Sequence, residues 1–363
     1  MIDLAIVGCG DVAFRTYLPG LALIADRARV VACFDPQTER AERLAAEAGG
    51  ARVYSSYPDL LAHPGLDAIL NLTPAPFHRD ITSAALDAGL HCFSEKPLAS
   101  DVPQAQALIA QARRRERLLL CAPGVMATSR FRWLRDELAA GRFGRPTLAV
   151  GQMANMGPAG WLDYRGDPAV FYSKSVGPLL DTGVYILHAI TGLFGPARRV
   201  EAFGGIAIPQ RTVLIPDRAG QTIEVEANDH MLLHLDFGNA TFAQVLSSFA
   251  VPRSRAPALE LHGSIGSISI SQDLWYAIDE PIDLLLPDVR SGSPASWTQE
   301  APPTAGPVPN LIQAGPAHFV ACLLGEETPI LTAEHACHVL EIILTADRSV
   351  RERRALDLET TFS

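Results

Sequence analysis

Leu4-Ala5-Ile6-Val7-Gly8-Cys9-Gly10-Asp11-Val12-Ala13 decides how the first part of this chain is read. Four apolar residues in a row suit a strand buried on both faces. Two glycines one residue apart then suit a tight turn into a helix running through Tyr17 and Leu21 to Ile24. Each small residue has its own task in such a turn. Gly8 permits the bend, Gly10 lets the backbone approach a pyrophosphate, and Ala13 leaves room for the helix to pack on the strand. The N–H groups at the helix start, over Gly10, Asp11, Val12 and Ala13, lack intrahelical acceptors and face the phosphates.

One such turn is a weak signal, and the next strand strengthens it. Arg29-Val30-Val31-Ala32-Cys33-Phe34 ends at Asp35, 22 residues beyond Ala13, where an acidic side chain bonds a ribose 2′-hydroxyl. An anion there repels a 2′-phosphate, so NAD is expected over NADP. Arg40, in the following helix, is placed to fold over the adenine, or to reach a phosphate if NADP is the cofactor. Asp35 also reads as a cap before the helix that Pro36 opens, and the two roles are compatible.

Strand and helix continue to alternate outward from this turn. Thr38 to Ala48 is a helix stopped by Gly49-Gly50, and Ala68 to Leu72 is a buried strand ending at Thr73-Pro74-Ala75-Pro76-Phe77-His78. Two prolines cannot continue a central strand, so the chain turns there. His78 opens the next helix, either as a capping or surface histidine or beside the cofactor. After Gly89 a short strand reaches Phe93-Ser94-Glu95-Lys96-Pro97, so Lys96 falls where a parallel strand meets its outgoing loop. Open α/β sheets bind ligands at that end, although a lysine beside a glutamate is also an ordinary solvated ion pair. The whole pattern from Ile2 to Cys121 is doubly wound, and residues 1–123 are expected to form a dinucleotide-binding domain.

Beyond Cys121-Ala122-Pro123-Gly124 the period changes. A helix from Ser129 to Ala140 is followed by strand-like segments at 148–153, 199–206, 221–227, 230–237, 240–249 and 258–270. Asp236-Phe237-Gly238-Asn239 reads as a hairpin turn. Helices are expected over 316–324 and 333–348, the latter capped by Thr332. Residues 124–363 thus form an α+β domain with a large, mostly antiparallel open sheet. Ahead of that sheet lies Gly177-Pro178-Leu179-Leu180-Asp181-Thr182-Gly183-Val184-Tyr185-Ile186-Leu187-His188. Spacings of four and three put Asp181, Tyr185 and His188 on one helix face. Tyr185 and His188 also suit a buried scaffold, whereas a carboxylate among apolar residues needs a partner or a task.

Composition excludes several functions. The chain has 363 residues, 48% hydrophobic and 19% charged, which describes a folded protein long enough for two domains. A net charge of −10 argues against a nucleic-acid binder. Its one basic run, Arg113-Arg114-Arg115 with Arg117, suits the last turn of a helix. Six scattered cysteines without a CxxC pair point to a reducing compartment and no metal site. Neither a signal peptide nor an apolar stretch of membrane-spanning length is evident, so a cytoplasmic location is expected.

Four motifs in this order resemble the Gfo/Idh/MocA family of glucose-fructose oxidoreductases and inositol dehydrogenases. They are the glycine turn 8–13, Thr73-Pro74 with His78, Glu95-Lys96-Pro97, and the stretch from Gly177 to Tyr185. The resemblance extends over nearly the whole chain: Leu261-His262-Gly263-Ser264-Ile265-Gly266 is similar to the family's late strand turn, and Thr332 to Arg353 to its closing helix. It implies a nicotinamide-dependent redox reaction on a sugar or cyclitol, a cis bond before Pro97, and a homodimer or homotetramer joined through the C-terminal sheet. Lys96, Asp181 and Tyr185 would then be catalytic: Tyr185 exchanges the hydroxyl proton, Lys96 acts beside it as an ammonium, and Asp181 orients the substrate or Lys96. Glu95 joins the cofactor set, and Arg15, Tyr17, Trp161, Tyr172, Tyr185 and His188 would wall the substrate pocket. Many members carry histidine at the position of Tyr185, and tyrosine resembles the branch of glucose-fructose oxidoreductase and dihydrodiol dehydrogenase. Ser175-Val176-Gly177 departs from the usual glycine triplet. Two other activities share these features: a glycoside hydrolase that retains its NAD, and a non-catalytic dinucleotide sensor.

Overall fold

The computed structural model describes residues 1–174, 176–273, 275–278, 280–287, 296–302, 308 and 310–363. Ser175 lies outside them. The chain divides into two compact units, Met1–Thr128 with Ala305–Leu340, and Ser129–Thr304 with Glu341–Ser363.

In the first unit, β1 (Ile2–Val7), β2 (Ala28–Phe34), β3 (Arg52–Val53), β4 (Ala68–Asn71), β5 (His91–Ser94) and β6 (Leu119–Cys121) form one sheet. Helices α1 (Leu18–Ala22), α2 (Thr38–Glu47), α3 (Tyr57–Leu61), α4 (His78–Asp87) and α5 (Val102–Arg115) connect them. The strand order is β3-β2-β1-β4-β5-β6 with every pairing parallel, so the winding reverses between β1 and β4. Such a reversal opens a crevice at the carboxyl ends of the strands. Register then fixes what lines that edge. Val7 pairs with both Phe34 and Asn71, Asn71 with Ser94, and Ser94 with Cys121. Gly8, Asp35, Leu72, Glu95 and Ala122 therefore leave the sheet at one level.

The expected division at residue 123 meets a long-range return of the chain. Helix Leu311–Leu323 packs within the first unit, with the Phe319 and Phe93 ring centroids 5.9 Å apart. Its backbone comes close enough that a Cβ on Gly124 would lie 2.2 Å from the Leu311 carbonyl oxygen. The helix was expected to begin at Pro316. It begins earlier, because the Asn310 side chain caps it by accepting the Ile312 and Gln313 N–H groups, both at 3.1 Å. Ala333, Ala336, Cys337 and Leu340 of helix Ala333–Glu352 complete the core beneath the parallel sheet.

The second unit begins with α6 (Ser129–Ala139) and is built on a nine-stranded sheet. In chain order its strands are β7 (Pro146–Ala154), β8 (Arg199–Gly205), β11 (His230–Gly238), β12 (Thr241–Ser248), β13 (Leu259–Gly263), β14 (Ser267–Ile270), β15 (Ile282–Leu286), β16 (Ser296–Glu300) and β17 (Leu356–Asp357). Between β8 and β11, the short strands β9 (Gln210–Thr212) and β10 (Thr222–Glu224) make a separate ladder. The large sheet runs β16-β15-β14-β13-β7-β12-β11-β8-β17, and its pairings are antiparallel except that of β7 with β12. The stretch 258–270, expected as strand-like with a turn within 261–266, folds back as a hairpin through Ser264, Ile265 and Gly266. Helix α7 (Val184–Phe194) lies against β7 so closely that a Cβ on Gly151 would sit 2.4 Å from Ile186 Cγ2.

Candidate active site

The glycine turn is held by backbone contact. Gly8 has φ +92°, and a Cβ there would lie 2.7 Å from the Leu72 carbonyl group and from the Thr73 nitrogen, so no side chain fits. Gly10 differs. A Cβ at that position would meet no protein atom within 4 Å. The backbone there is open, which is compatible with the close approach that a dinucleotide cradle requires. The first turn after it, Ala13–Tyr17, is π-helical, a wider winding that redirects the side chains it carries.

Asp35 closes the turn from the next strand. Its Oδ2 accepts the Cys9 N–H and its Oδ1 the Gln37 N–H, both at 2.8 Å, and the residue is 9% exposed. The cap expected of Asp35 is therefore a turn onto Gln37, which itself occupies the N-cap of α2. Arg40 stands exposed in the first turn of that helix. Asp11 pairs with Arg15 at 2.7 Å. The Cys9 thiol is pushed far above its usual range by its contact with Cys33 and by burial, which keeps it an inert, neutral group.

Two neighbouring loops are tied together. Asn71, fully buried at the end of β4, donates to the His78 carbonyl at 3.0 Å and to Thr82 Oγ1 at 3.1 Å, while its Oδ1 accepts from the Thr73 hydroxyl at 2.7 Å. Pro74 follows, exposed, with an extended backbone. His78 is 1% exposed, with Nδ1 2.6 Å from the Pro97 carbonyl oxygen and Nε2 2.7 Å from that of Thr73. It was expected beside the cofactor or at the surface. Both ring nitrogens are instead engaged by protein carbonyls. Tyr17, expected as a substrate wall, has no accessible surface, and its hydroxyl donates to Glu95 Oε1 at 2.6 Å. Glu95 Oε2 accepts the Lys96 N–H at 2.9 Å, and the Lys96–Pro97 bond is cis. Asn71 carried a legible signal as the single amide in a buried apolar run; nothing announced the pairing of Tyr17 with Glu95, 78 residues apart.

In the second unit, Asp181 lies buried in a π-helical turn, Leu179–Gly183, that leads directly into α7, with Tyr185 half-buried and His188 buried one turn further. Tyr276 is 47% exposed as a residue, yet crowding around its hydroxyl, with the Asp181 charge adding to it, pushes that hydroxyl up to about 12. No motif marked Tyr276. Tyr172, expected as a pocket wall, is 1% exposed; its hydroxyl accepts the Ala159 N–H at 3.1 Å and its ring lies 5.6 Å from the Arg211 guanidinium carbon. Its place is in a satellite core with Val213, Ile215, Ile223 and Phe249. Arg211 in turn pairs with buried Asp229 at 2.5 Å, whose carboxylate also accepts the Ala207 and Ile208 N–H groups. Trp161 stays partly exposed, with its indole N–H on Asn155 Oδ1 at 3.3 Å and its ring edged by Tyr164 and Phe171. Among the described residues no group of three His, Cys, Asp or Glu side chains could hold a metal ion, and no helix is long and apolar enough to cross a membrane.

Known proteins are similar to this chain in sequence and in fold. A dTDP-3,4-didehydro-2,6-dideoxy-alpha-D-glucose 3-reductase of Actinomadura kijaniata is 34% identical over 53% of this chain, which spans 56% of that enzyme's length. The scyllo-inositol 2-dehydrogenase (NAD(+)) of Bacillus subtilis is 24% identical over 98% of this chain and 96% of its own. An NAD-binding oxidoreductase from Klebsiella pneumoniae superposes with a TM-score of 0.82 at 20% identity, covering 99% of both chains, and so shares the fold. Residues 2–122 match the profile of the Gfo/Idh/MocA oxidoreductase family with its NAD-binding Rossmann fold, and residues 131–269 match that family's C-terminal domain. With both of its domains matched in order, the chain belongs to the Gfo/Idh/MocA family of NAD-binding oxidoreductases.

Proposed function

We propose that this protein uses NAD to move a hydride between nicotinamide and a hydroxyl or carbonyl carbon of a sugar, cyclitol or related polyol. The observation that carries the reading is the level edge of the parallel sheet. There the glycine turn, Asp35 and the Glu95-Lys96-Pro97 turn leave adjacent strands together. Gly10 through Ala13 would hold the pyrophosphate by backbone N–H groups, Asp35 the adenosine ribose, and Thr73, Pro74 and Glu95 the edge toward the nicotinamide. When bound, the dinucleotide supplies the hydride acceptor or donor. Within this chain, Tyr185 is assigned the hydroxyl proton, a transfer that contributes about 10²- to 10⁴-fold. Lys96 is assigned the positive charge that favours the ionised hydroxyl, and Asp181 the orientation of the substrate. Substrates of the two relatives named above, a deoxysugar nucleotide and an inositol, are both ring alcohols or ketones, which supports that substrate class.

The test is a titration with NADH and NADPH, followed by nicotinamide absorbance against a panel of sugars and cyclitols. Tight NADH binding with turnover on any panel member is expected, as is loss of at least about 100-fold in kcat for Lys96→Ala. Aglycone release without net NADH would mean a hydrolase, and binding without any chemistry a sensor. We further assign homo-oligomer contacts to the open face of the large sheet, where Phe203 is 66% and Phe242 48% exposed and Leu148 pairs with Phe242. Light scattering of the wild type and of Phe242→Glu tests that assignment.

A further inference from the structure

The Lys96 turn is gripped at both ends by side chains that have no surface to offer a ligand. On the side of the glycine turn, Tyr17 donates to Glu95 Oε1 at 2.6 Å, and the other oxygen of that carboxylate accepts the Lys96 N–H at 2.9 Å. The Glu95 N–H donates to the Asn71 carbonyl at 2.9 Å, which extends the sheet by one bond before the chain turns. Glu95 is thereby folded back over its own backbone, and its orientation depends on a hydroxyl from the helix that opens the dinucleotide site. On the far side, His78 contacts the Pro97 carbonyl at 2.6 Å while its second nitrogen holds the Thr73 carbonyl at 2.7 Å. The ring spans the loops that follow β4 and β5. The π-helical turn Ala13–Tyr17 is what delivers Tyr17 inward, against Phe93 with ring centroids 6.2 Å apart.

We propose that Tyr17 and His78 are positioning residues for Lys96: together they fix where the lysine backbone leaves β5, and so the placement of its ammonium group during the reaction. The proposal rests on the assignment of Lys96 to the chemistry. Neither residue touches the reacting atoms. Tyr17 acts through the Glu95 carboxylate on the lysine's own N–H and His78 through the Pro97 carbonyl, so loss of either loosens the lysine without removing it. A misplacement of even about 1 Å can lower a rate by two orders of magnitude.

Tyr17→Phe keeps the ring and removes only the hydroxyl, and His78→Asn keeps one polar reach of the two. The expected result for each is a kcat lowered by about ten-fold or more, with a smaller change in the NADH dissociation constant. In a Lys96→Met background, Tyr17→Phe is expected to change the residual kcat by less than about two-fold, because residues acting through one group are not additive. The second readout needs no turnover: the acylation rate of Lys96 by an amine reagent, followed by mass spectrometry of its peptide, is expected to change in both variants. Wild-type kcat in Tyr17→Phe, or additive losses in the Lys96→Met background, would overturn the proposal. If the wild type turned over no panel substrate, the dehydrogenase reading would fail instead. An unchanged acylation rate would then overturn the positioning role on its own terms.

Discussion

Exchanging Gly8 and Gly10 separately for alanine divides the glycine turn into what the fold requires and what the ligand requires. At Gly8 an added Cβ meets three backbone atoms at 2.7 Å in a residue whose φ is +92°. The positive φ costs about 1–2 kcal/mol for an L side chain, and forcing a methyl into packed backbone adds about 1–3 kcal/mol, for a total of roughly 2–5 kcal/mol. At about 2–4 °C per kcal/mol for a unit of this size, the thermal midpoint of the first unit falls by roughly 4–20 °C. At Gly10 the added methyl touches no protein atom within 4 Å, so stability should stay within about 0.5 kcal/mol of wild type. Its effect belongs to the ligand. The methyl stands where the pyrophosphate must approach, and a ten-fold or greater loss of NADH affinity corresponds to at least about 1.4 kcal/mol. Circular dichroism of the protein without nucleotide and NADH fluorescence titration measure the two quantities separately. Gly10→Ala with wild-type NADH affinity would refute the assignment of this turn to the cofactor, and an undiminished midpoint for Gly8→Ala would refute the steric argument.

Other perturbations follow from the same geometry. Asp35→Ser removes the anion that opposes a 2′-phosphate and should raise NADPH affinity relative to NADH by at least about ten-fold, read by paired titrations. Arg211→Met strands the buried Asp229 charge and is expected to cost about 3–5 kcal/mol, visible as a lowered unfolding midpoint, whereas Arg211→Met with Asp229→Asn should recover part of that loss. The Arg142 guanidinium forks onto Glu300 at 2.9 and 2.6 Å and holds its carboxyl below the usual range. Because its folded pKa is depressed, the pair's contribution is present above the unfolded value of 4.5 and lost as pH falls through the lower folded value. The pair is exposed enough that this amounts to about 1 kcal/mol or less, so Glu300→Gln should flatten the acid limb of stability between about pH 5 and 3 only slightly.

The parallel half of the fold was legible because its determinants are local. A run of apolar residues, a glycine turn and an acid after the next strand each act within a few residues, and β1 to β6 with their helices form the doubly wound sheet expected. What stayed hidden depends on distant neighbours. Nothing near Leu311 announces that its backbone will press on Gly124, so the helix there was assigned to the other domain. Pro316 suggested a helix start, since proline suits a first turn, and masked the stronger cap at Asn310. The turn within 261–266 came from the family resemblance and not from the alternating pattern, and β15 and β16 were not among the expected strands.

Within the site, residue type indicated chemistry more readily than occupancy. Tyr17, His78 and Tyr172 each carry a group that could meet a substrate, and pattern alone admits that use. Burial decides otherwise. The Tyr17 hydroxyl goes to Glu95, both His78 nitrogens meet loop carbonyls, and the Tyr172 hydroxyl accepts the Ala159 N–H. Gly10 carries no side chain at all, and a Cβ there would meet no protein atom within 4 Å. A binding site on an open α/β edge needs its loops held as firmly as it needs groups to present. A sequence motif at such an edge therefore records supports and contacts together, and only the hydrogen-bond partners of each polar atom separate the two.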